Sequence, residues 1–187
     1  GFLSSHMAES RFPKPANSMI ALIRSNSVIL KQGISLLEKH SQETYTAADP
    51  EVFGSSIGSH VRHVLDHYSS FLKGVESGVV DYDARIRNTS VETNLEAGKK
   101  EFQRILMLIQ SMETQEELVL AVRVSSSVEG GEETCQSSVG RELQFLVSHT
   151  VHHFALISIA SRLQGIYPDE SFGVAPSTLK YLQIASA

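Results

Sequence analysis

Apolar side chains recur at intervals of three and four residues along four stretches of the chain, which is the spacing of an amphipathic helix. The predicted helices span about 17–41, from Ser55 or Ser56 to Gly78, about 90–112, and from Ser137 or Ser138 to about Gly165. A further short helix is expected around 177–183. Four long helices with one apolar stripe each predict an all-α fold, an antiparallel four-helix bundle.

Two connecting segments do not follow the helical pattern. Residues 79–88 are too polar for a core element and are expected to form a loop. Residues 118–128 are rich in valine, alternate in part, and are followed by Glu129-Gly130-Gly131-Glu132. This pattern predicts a short β-hairpin between the third and fourth long helices.

Composition places the chain among ordinary globular proteins. Its 187 residues, 41% hydrophobic and 20% charged, suffice for one domain with a sizeable core. No apolar run approaches the roughly 18 residues that a membrane span needs, so no membrane association is expected. A formal charge of −5 argues against nucleic acid as a partner.

The N-terminal sequence bears on domain organisation and location. Residues 1–7, Gly-Phe-Leu-Ser-Ser-His-Met, resemble a vector remnant, which leaves residues 8–187 as a single domain. No secretory signal follows, so the chain is expected to be a soluble cytoplasmic protein.

Histidine is the residue type with an uneven distribution. The chain has eight histidines; His6 lies in the apparent remnant, and His40 stands alone and is expected at the surface. The other six form two clusters, one in each of two predicted helices: His60, His63 and His67, and His149, His152 and His153. Two imidazoles from one helix and one from a facing helix would provide three nitrogen ligands for a divalent metal and leave coordination positions open.

Helical geometry separates the members of each cluster. Residues four apart differ by only about 40° in direction, so His149 and His153 lie together beside the apolar stripe. His152 lies about 180° from that stripe and is expected to point outward. In the earlier helix all three histidines lie on one edge of the stripe, so spacing alone leaves the third ligand open among them.

Two segments resemble the motifs of a known family. Ser56-Ile57-Gly58-Ser59-His60-Val61-Arg62-His63-Val64-Leu65-Asp66 is similar to the second-helix motif of the DinB-like superfamily, and Ser148-His149-Thr150-Val151-His152-His153-Phe154 is similar to its last-helix motif. The resemblance implies an up-up-down-down four-helix bundle that binds a divalent metal through His63, His149 and His153. His60 and His67 do not belong to the family pattern. His67 is a candidate fourth ligand, a hydrogen-bond partner of a ligand, or a general base.

The resemblance also suggests the kind of reaction, because relatives include metal-dependent transferases that act on low-molecular-weight thiols. Three neutral imidazoles leave the metal its full charge, which can lower the pKa of bound water or hold a thiolate. We therefore expect a transferase or hydrolase that uses zinc, nickel, manganese or iron and acts on a small-molecule substrate, with a low-molecular-weight thiol as the candidate. The alternative is a non-catalytic metal- or ligand-binding bundle that acts as a structural homodimer.

A few other side chains are candidates for the chemistry. Asp66 or Glu142 could transfer protons. Tyr82, Arg85 and Arg87 follow the second long helix and are suited to holding a carboxylate-bearing substrate. Cys135 has no flanking base and is not expected to act as a nucleophile.

Overall fold

The computed structural model describes residues 15–52, 54–84, 89–114, 117–125 and 130–186. The apparent remnant at residues 1–7 lies outside these ranges, as do Arg85 and Arg87. The described residues are mostly helical and include one small three-stranded sheet. The elements are α1 (Pro15–Glu38), α2 (Gln42–Thr46), α3 (Ile57–Ser77), β1 (Val79–Asp81), α4 (Thr89–Thr93), α5 (Leu95–Gln110), a 3₁₀ turn (Ser111–Thr114), β2 (Val119–Ser125), β3 (Glu132–Ser138), α6 (Val139–Leu163) and α7 (Pro176–Ala185).

The two helices that contain the histidine clusters begin and end close to where the sequence predicts. The Ser56 side chain accepts a hydrogen bond from the backbone N–H of Ser59, which caps α3, and Ser138 caps α6 in the same way. Gly78 ends α3 with a φ of 83°, a left-handed conformation that glycine adopts without steric cost. These boundaries are local in origin, which is why the sequence reveals them.

The other two long helices differ from the prediction. The stretch expected as one helix from about 90 to 112 is divided at Asn94, whose extended backbone lets its side chain accept from the N–H of Ala97 and cap α5. The first helix ends at Glu38 rather than near Ser41, because Ser41 is the N-cap of the short helix α2. Polar side chains that cap a helix therefore interrupt both apolar patterns.

The sheet contains the predicted hairpin and one additional strand. β2 and β3 pair antiparallel, from Val119 opposite Ser138 to Ser125 opposite Glu132. β1 lies in a segment expected to be a loop, yet it pairs in parallel with β2. A tertiary contact holds it there: Val80 is fully buried and packs against Gly74 of α3, where an added Cβ would lie 2.3 Å from the valine side chain.

The four long helices share one apolar core, in which α1 and α3 each pack against α5 and α6. α1 runs parallel to α6, because Asn26 reaches the carbonyl of Leu143 near the start of α6. His40, just beyond the end of α1, correspondingly reaches Ser161 near the end of α6.

The remaining two long helices run in the opposite direction. His67 of α3 contacts His149 of α6, and His60, which is earlier in α3, contacts His153, which is later in α6. At Gly98, near the start of α5, an added Cβ would lie 3.5 Å from Leu37 near the end of α1. The order is therefore up-down-down-up, and the up-up-down-down order that the resemblance implied is wrong.

A buried hydrogen-bond network connects three of these helices. The Asn26 amide donates to the carbonyls of Leu22 (2.8 Å) and Leu143 (3.1 Å), and its oxygen accepts from the Tyr68 hydroxyl at 2.7 Å. Asn26 and Tyr68 are both fully buried. Because buried polar groups are costly when unpaired, this network favours one register of α1, α3 and α6 over its alternatives.

His40 lies in the interior, so the prediction of a surface histidine is wrong. Its side chain is 6% exposed, and its two ring nitrogens form hydrogen bonds with Thr44 (2.9 Å) and Ser161 (3.0 Å). Burial lowers its pKa to about 4. A single histidine outside any periodic pattern gave no sequence signal of this packing.

Helix α6 is the one described helix that is long and apolar enough to cross a membrane by length and composition, with a mean hydropathy of 1.3. Core helices of soluble proteins have the same properties, and α6 packs along both α1 and α3. The structure therefore gives no clear sign of a membrane protein.

The Asn26 network predicts a stability effect. Asn26→Ala leaves the buried Tyr68 hydroxyl without its acceptor, and we expect the free energy of unfolding to fall by about 1–3 kcal/mol in urea titrations. Val28→Ala is the control on the same helix; because Val28 is 55% exposed, its effect should stay within about 0.5 kcal/mol. Equal effects of the two substitutions would contradict a stabilising role for the network.

Buried His40 predicts a pH dependence of stability. Between pH 6.5 and about pH 4 the unfolded chain binds a proton at His40 that the folded chain does not bind, so acidification favours unfolding. The stabilisation is complete above pH 6.5, and up to about 3 kcal/mol of it is lost as the pH falls to about 4. Urea titrations at several pH values should show a shallower loss for His40→Gln than for the wild type. Parallel curves would contradict this assignment.

Candidate metal centre

The antiparallel packing of α3 and α6 brings the two histidine clusters into contact. Nε2 of His63 and Nε2 of His149 lie 3.1 Å apart across the interface. His67, one turn after His63, stacks on His149 with ring centroids 3.9 Å apart. One potential ligand atom from each of His63, His67 and His149 lies within 4.8 Å of the others.

A backbone hydrogen bond orients His67. Its Nδ1 lies 2.9 Å from the carbonyl oxygen of His63, and because a carbonyl only accepts, Nδ1 is the protonated nitrogen. A neutral imidazole protonated on Nδ1 has its lone pair on Nε2. Metal-binding histidines are commonly oriented by such a bond from the other ring nitrogen.

His60 and His153 form a second pair beside this group. Their Nδ1 atoms lie 3.0 Å apart, and their ring centroids are separated by 5.3 Å. The His153 ring is also close to the first group, 4.5 Å from His63 and 4.7 Å from His149. Five imidazoles therefore form one continuous cluster between the two helices.

His152 lies at the edge of the cluster and is exposed, which confirms that it points outward. Its ring meets that of His153 edge-on at a centroid distance of 5.2 Å.

The sequence-predicted ligands His63, His149 and His153 all belong to the cluster, but His67 is the third member of the most compact group. The spacing of histidines within a single helix does not reveal the His60–His153 pair, because the pair depends on the register between two antiparallel helices. His63, His67 and His149 are thus the residues that geometry favours, and the role of His153 stays a prediction.

Burial disfavours the charged form of three of these side chains, His60, His149 and His153. Burial, followed by the neighbouring His67 and His153, lowers the pKa of His149 to about 2. Burial and the neighbouring His60 lower the pKa of His153 to about 4, and burial followed by His152 lowers that of His60. Nδ1 of His149 is also buried with no hydrogen-bond partner. Neutral imidazole nitrogens are the donor set that a divalent transition-metal cation binds.

A second group of side chains lies against the cluster. Tyr82, predicted to hold substrate, is 6% exposed and stacks on His67 at 5.1 Å. Its hydroxyl donates a 2.6 Å hydrogen bond to Glu142, which also accepts from Ser137 at 2.7 Å. Burial and this hydrogen bond to Glu142 raise the pKa of Tyr82. The tyrosine therefore links a buried carboxylate to the histidines.

A cavity of about 310 Å³ lies on the far side of these rings, between the hairpin and α6. Its lining includes Tyr82, Glu142, Phe145 and Cys135. Phe145 stacks on His149 at a centroid distance of 5.5 Å, so two aromatic rings separate this space from the histidines.

Asp66, the predicted proton-transfer residue, lies on the side of α3 that faces α5. It is 7% exposed, lies 4.0 Å from Nε of Arg62, and lines a cavity of about 510 Å³ with Arg104 and Glu101. Arg62 in turn pairs with Glu92 of α4. The catalytic role of Asp66 stays a prediction; Glu142 is connected to the histidines through Tyr82.

Tyr82 supports a stability prediction. Tyr82→Phe removes one of two hydroxyl donors to the buried Glu142, and we expect the free energy of unfolding to fall by about 1–3 kcal/mol. Tyr181→Phe is the matched control, because Tyr181 is 69% exposed on α7, and it should change stability by less than about 0.5 kcal/mol. If the two variants unfold at the same urea concentration, the hydrogen bond contributes nothing measurable.

Comparison with known proteins gives little further identification. No family model matches the chain. A protein named FK506-binding protein 5 from Rhizopus delemar is 34% identical over 110 residues, which cover 56% of this chain. The chain spans only 28% of that relative's length. The match shows a partial sequence relationship to a much longer protein.

Proposed function

We propose that this chain is a DinB-like four-helix bundle and a metal-dependent enzyme, a transferase or hydrolase, whose centre contains His63 and His149. The observation that supports the proposal is the approach of three potential ligand atoms, from His63, His67 and His149, to within 4.8 Å of one another. Isolated structural histidines instead pair with hydroxyls or carbonyls, as His40 does with Thr44 and Ser161.

The residues present fit a divalent cation with a preference for nitrogen ligands. Imidazole suits zinc, nickel and iron, and three such ligands leave coordination positions for substrate. Manganese, which the sequence also allowed, prefers oxygen ligands.

The third imidazole has two candidates. The motif resemblance favours His153. The centroid of the His149 ring lies 3.9 Å from that of His67 and 4.7 Å from that of His153, while both of these rings lie 4.5 Å from His63. We favour His67, because its Nδ1 donates to the carbonyl of His63 and its ring is held in place by Tyr82. Nδ1 of His153 lies 3.0 Å from Nδ1 of His60, so its partner is another imidazole rather than a backbone carbonyl.

A divalent cation in this position would lower the pKa of a bound water or thiol, the step that hydrolysis and thiol transfer share. The surrounding residues would supply the rest of the site. Glu142 is buried and accepts hydrogen bonds from the hydroxyls of Tyr82 and Ser137, so it would hold the Tyr82 ring against His67. Phe145 and Tyr82 cover one side of the cluster and exclude water there. We propose a small-molecule substrate, a low-molecular-weight thiol for a transferase, and a cytoplasmic location.

A non-catalytic centre is the second candidate, and the crowding of the imidazoles is the observation that favours it. His153 lies within 4.7 Å, centroid to centroid, of both His63 and His149. If His67 and His153 both coordinate, four protein ligands complete a tetrahedral shell, which is typical of structural zinc. The bundle would then be a metal- or ligand-binding module, and the earlier homodimer hypothesis belongs to this alternative.

Metal analysis tests the proposal directly. Protein purified without a nickel column should retain about one metal ion per chain after desalting, and a chelator should lower its melting temperature because the ion binds only the folded state. His149→Ala should retain almost no metal, while its far-UV circular dichroism stays helical. Wild-type protein with no retained metal and an unchanged melting temperature with chelator would refute the proposal.

The same measurement identifies the third ligand. If His67 is the third ligand, His67→Ala should lose the retained ion and His153→Ala should keep it. The exposed His152→Ala is the control, and it should keep the ion in either case. Loss in His153→Ala alone would assign His153 instead.

A further inference from the structure

The cavity of about 310 Å³ between the hairpin and α6 is separated from the histidines by the rings of Tyr82 and Phe145. Its volume is at the lower end of the range for small-molecule sites, about 300–1,000 Å³. We propose that this cavity binds a small zwitterion with an apolar body, of the α-amino-acid class, between the carboxylate of Glu142 and the guanidinium of Arg141. The proposal does not depend on the metal centre.

Apolar side chains form most of the cavity wall. Val122 and Val124 line it from β2, where they lie two residues apart and therefore on the same face of the sheet. The rings of Tyr82 and Phe145 also line it, with their centroids 5.1 Å apart. An aliphatic or aromatic side chain of a ligand would leave water among these groups, which favours binding.

Glu142 provides a fixed acceptor within this apolar wall. It is 6% exposed, and its two oxygens accept hydrogen bonds from the hydroxyls of Tyr82 (2.6 Å) and Ser137 (2.7 Å). Each carboxylate oxygen can accept two hydrogen bonds, so each has a position left for a donor of the ligand. An ammonium group is the donor that a carboxylate binds most strongly, and the two hydroxyls already hold this carboxylate in place.

Arg141 precedes Glu142 in α6 and lines the same cavity from its exposed side. Burial raises the pKa of the Tyr82 hydroxyl, whereas the positive charge of Arg141 lowers it, so this charge acts within the cavity. Among the described residues, no acidic side chain lies within 4.0 Å of the Arg141 guanidinium. Its planar group can therefore bind a ligand carboxylate through two parallel hydrogen bonds.

The two opposite charges select the class of ligand. A compound with only an ammonium group would be repelled by Arg141, and a compound with only a carboxylate would be repelled by Glu142. An α-amino acid has both groups on one carbon, and its side chain extends away from them. A molecule of this kind satisfies both charged residues and the apolar wall together.

Three compounds of similar shape test the role of each charge. L-Leucine has both groups, 3-methylbutylamine lacks the carboxylate, and 4-methylpentanoate lacks the ammonium group. In calorimetric titrations of the full chain we expect leucine to bind and each analogue to bind about tenfold or more weakly, because each loses one hydrogen-bonded charge. Arg141→Gln should weaken leucine binding by a similar factor. Arg162→Gln is the matched control, since Arg162 is an exposed arginine of α6 outside the cavity, and it should leave leucine binding unchanged.

Cys135 reports whether the ligand occupies this cavity. It is the only cysteine of the chain, is exposed, and lines the cavity. Bound leucine should slow the alkylation of Cys135 by iodoacetamide, and Arg141→Gln should require about tenfold more leucine for the same protection. Glu142→Gln should weaken leucine but not 4-methylpentanoate, and far-UV circular dichroism checks that each variant is folded.

Several outcomes would overturn the proposal. The absence of binding by leucine, methionine and phenylalanine at about 10 mM would refute it. Equal affinities for leucine and either analogue would refute a zwitterion site, because one of the two charges would then contribute nothing. Binding that leaves Cys135 unprotected, or that is equal in Arg141→Gln and Arg162→Gln, would place the ligand elsewhere and refute this site. Metal retention is measured separately, so each of the two proposals can fail without the other.

Discussion

The antiparallel contact between α3 and α6 is the constraint on which the candidate site depends. Its register is coupled to a buried hydrogen-bond network in which Asn26 of α1 binds both Tyr68 of α3 and the backbone of Leu143 in α6. A shift of either helix by one turn would break this network and separate His63 from His149. The stability of the core and the geometry of the cluster thus have one physical origin, the cost of leaving buried polar groups unpaired.

The cluster combines burial with mutual proximity, and both effects act in the same direction. Moving imidazoles out of water disfavours their charged form, and neighbouring histidines disfavour it further, so that the pKa of His149 falls to about 2. Each neutral imidazole has only one N–H group, so rings at about hydrogen-bond distance from one another have few protons for hydrogen bonds between them. A cation that bound several of these lone pairs at once would suit such an arrangement, and this is the basis of the proposed metal centre.

Local signals predicted the boundaries of the site helices and missed the elements that depend on distant contacts. Ser56, Gly78 and Ser138 act within one turn of their own positions, so their effects are visible in the sequence. β1 was missed because its three residues are held by β2 and by the packing of Val80 against Gly74, not by an alternating pattern of their own. The break at Asn94 was missed because the apolar spacing continues on both sides of a residue that acts as a cap.

The sequence by itself determined that two helices contain clustered histidines, that His149 and His153 share a face, and that His152 points to solvent, because these properties follow from the angle between successive residues of one helix. Which imidazoles meet across the interface was decided only by the tertiary structure. The up-down-down-up order and the register of α3 on α6 place His67 against His149 and His60 against His153. Contacts between residues 82–93 positions apart in the chain depend on the packing of the whole core, which no local pattern encodes.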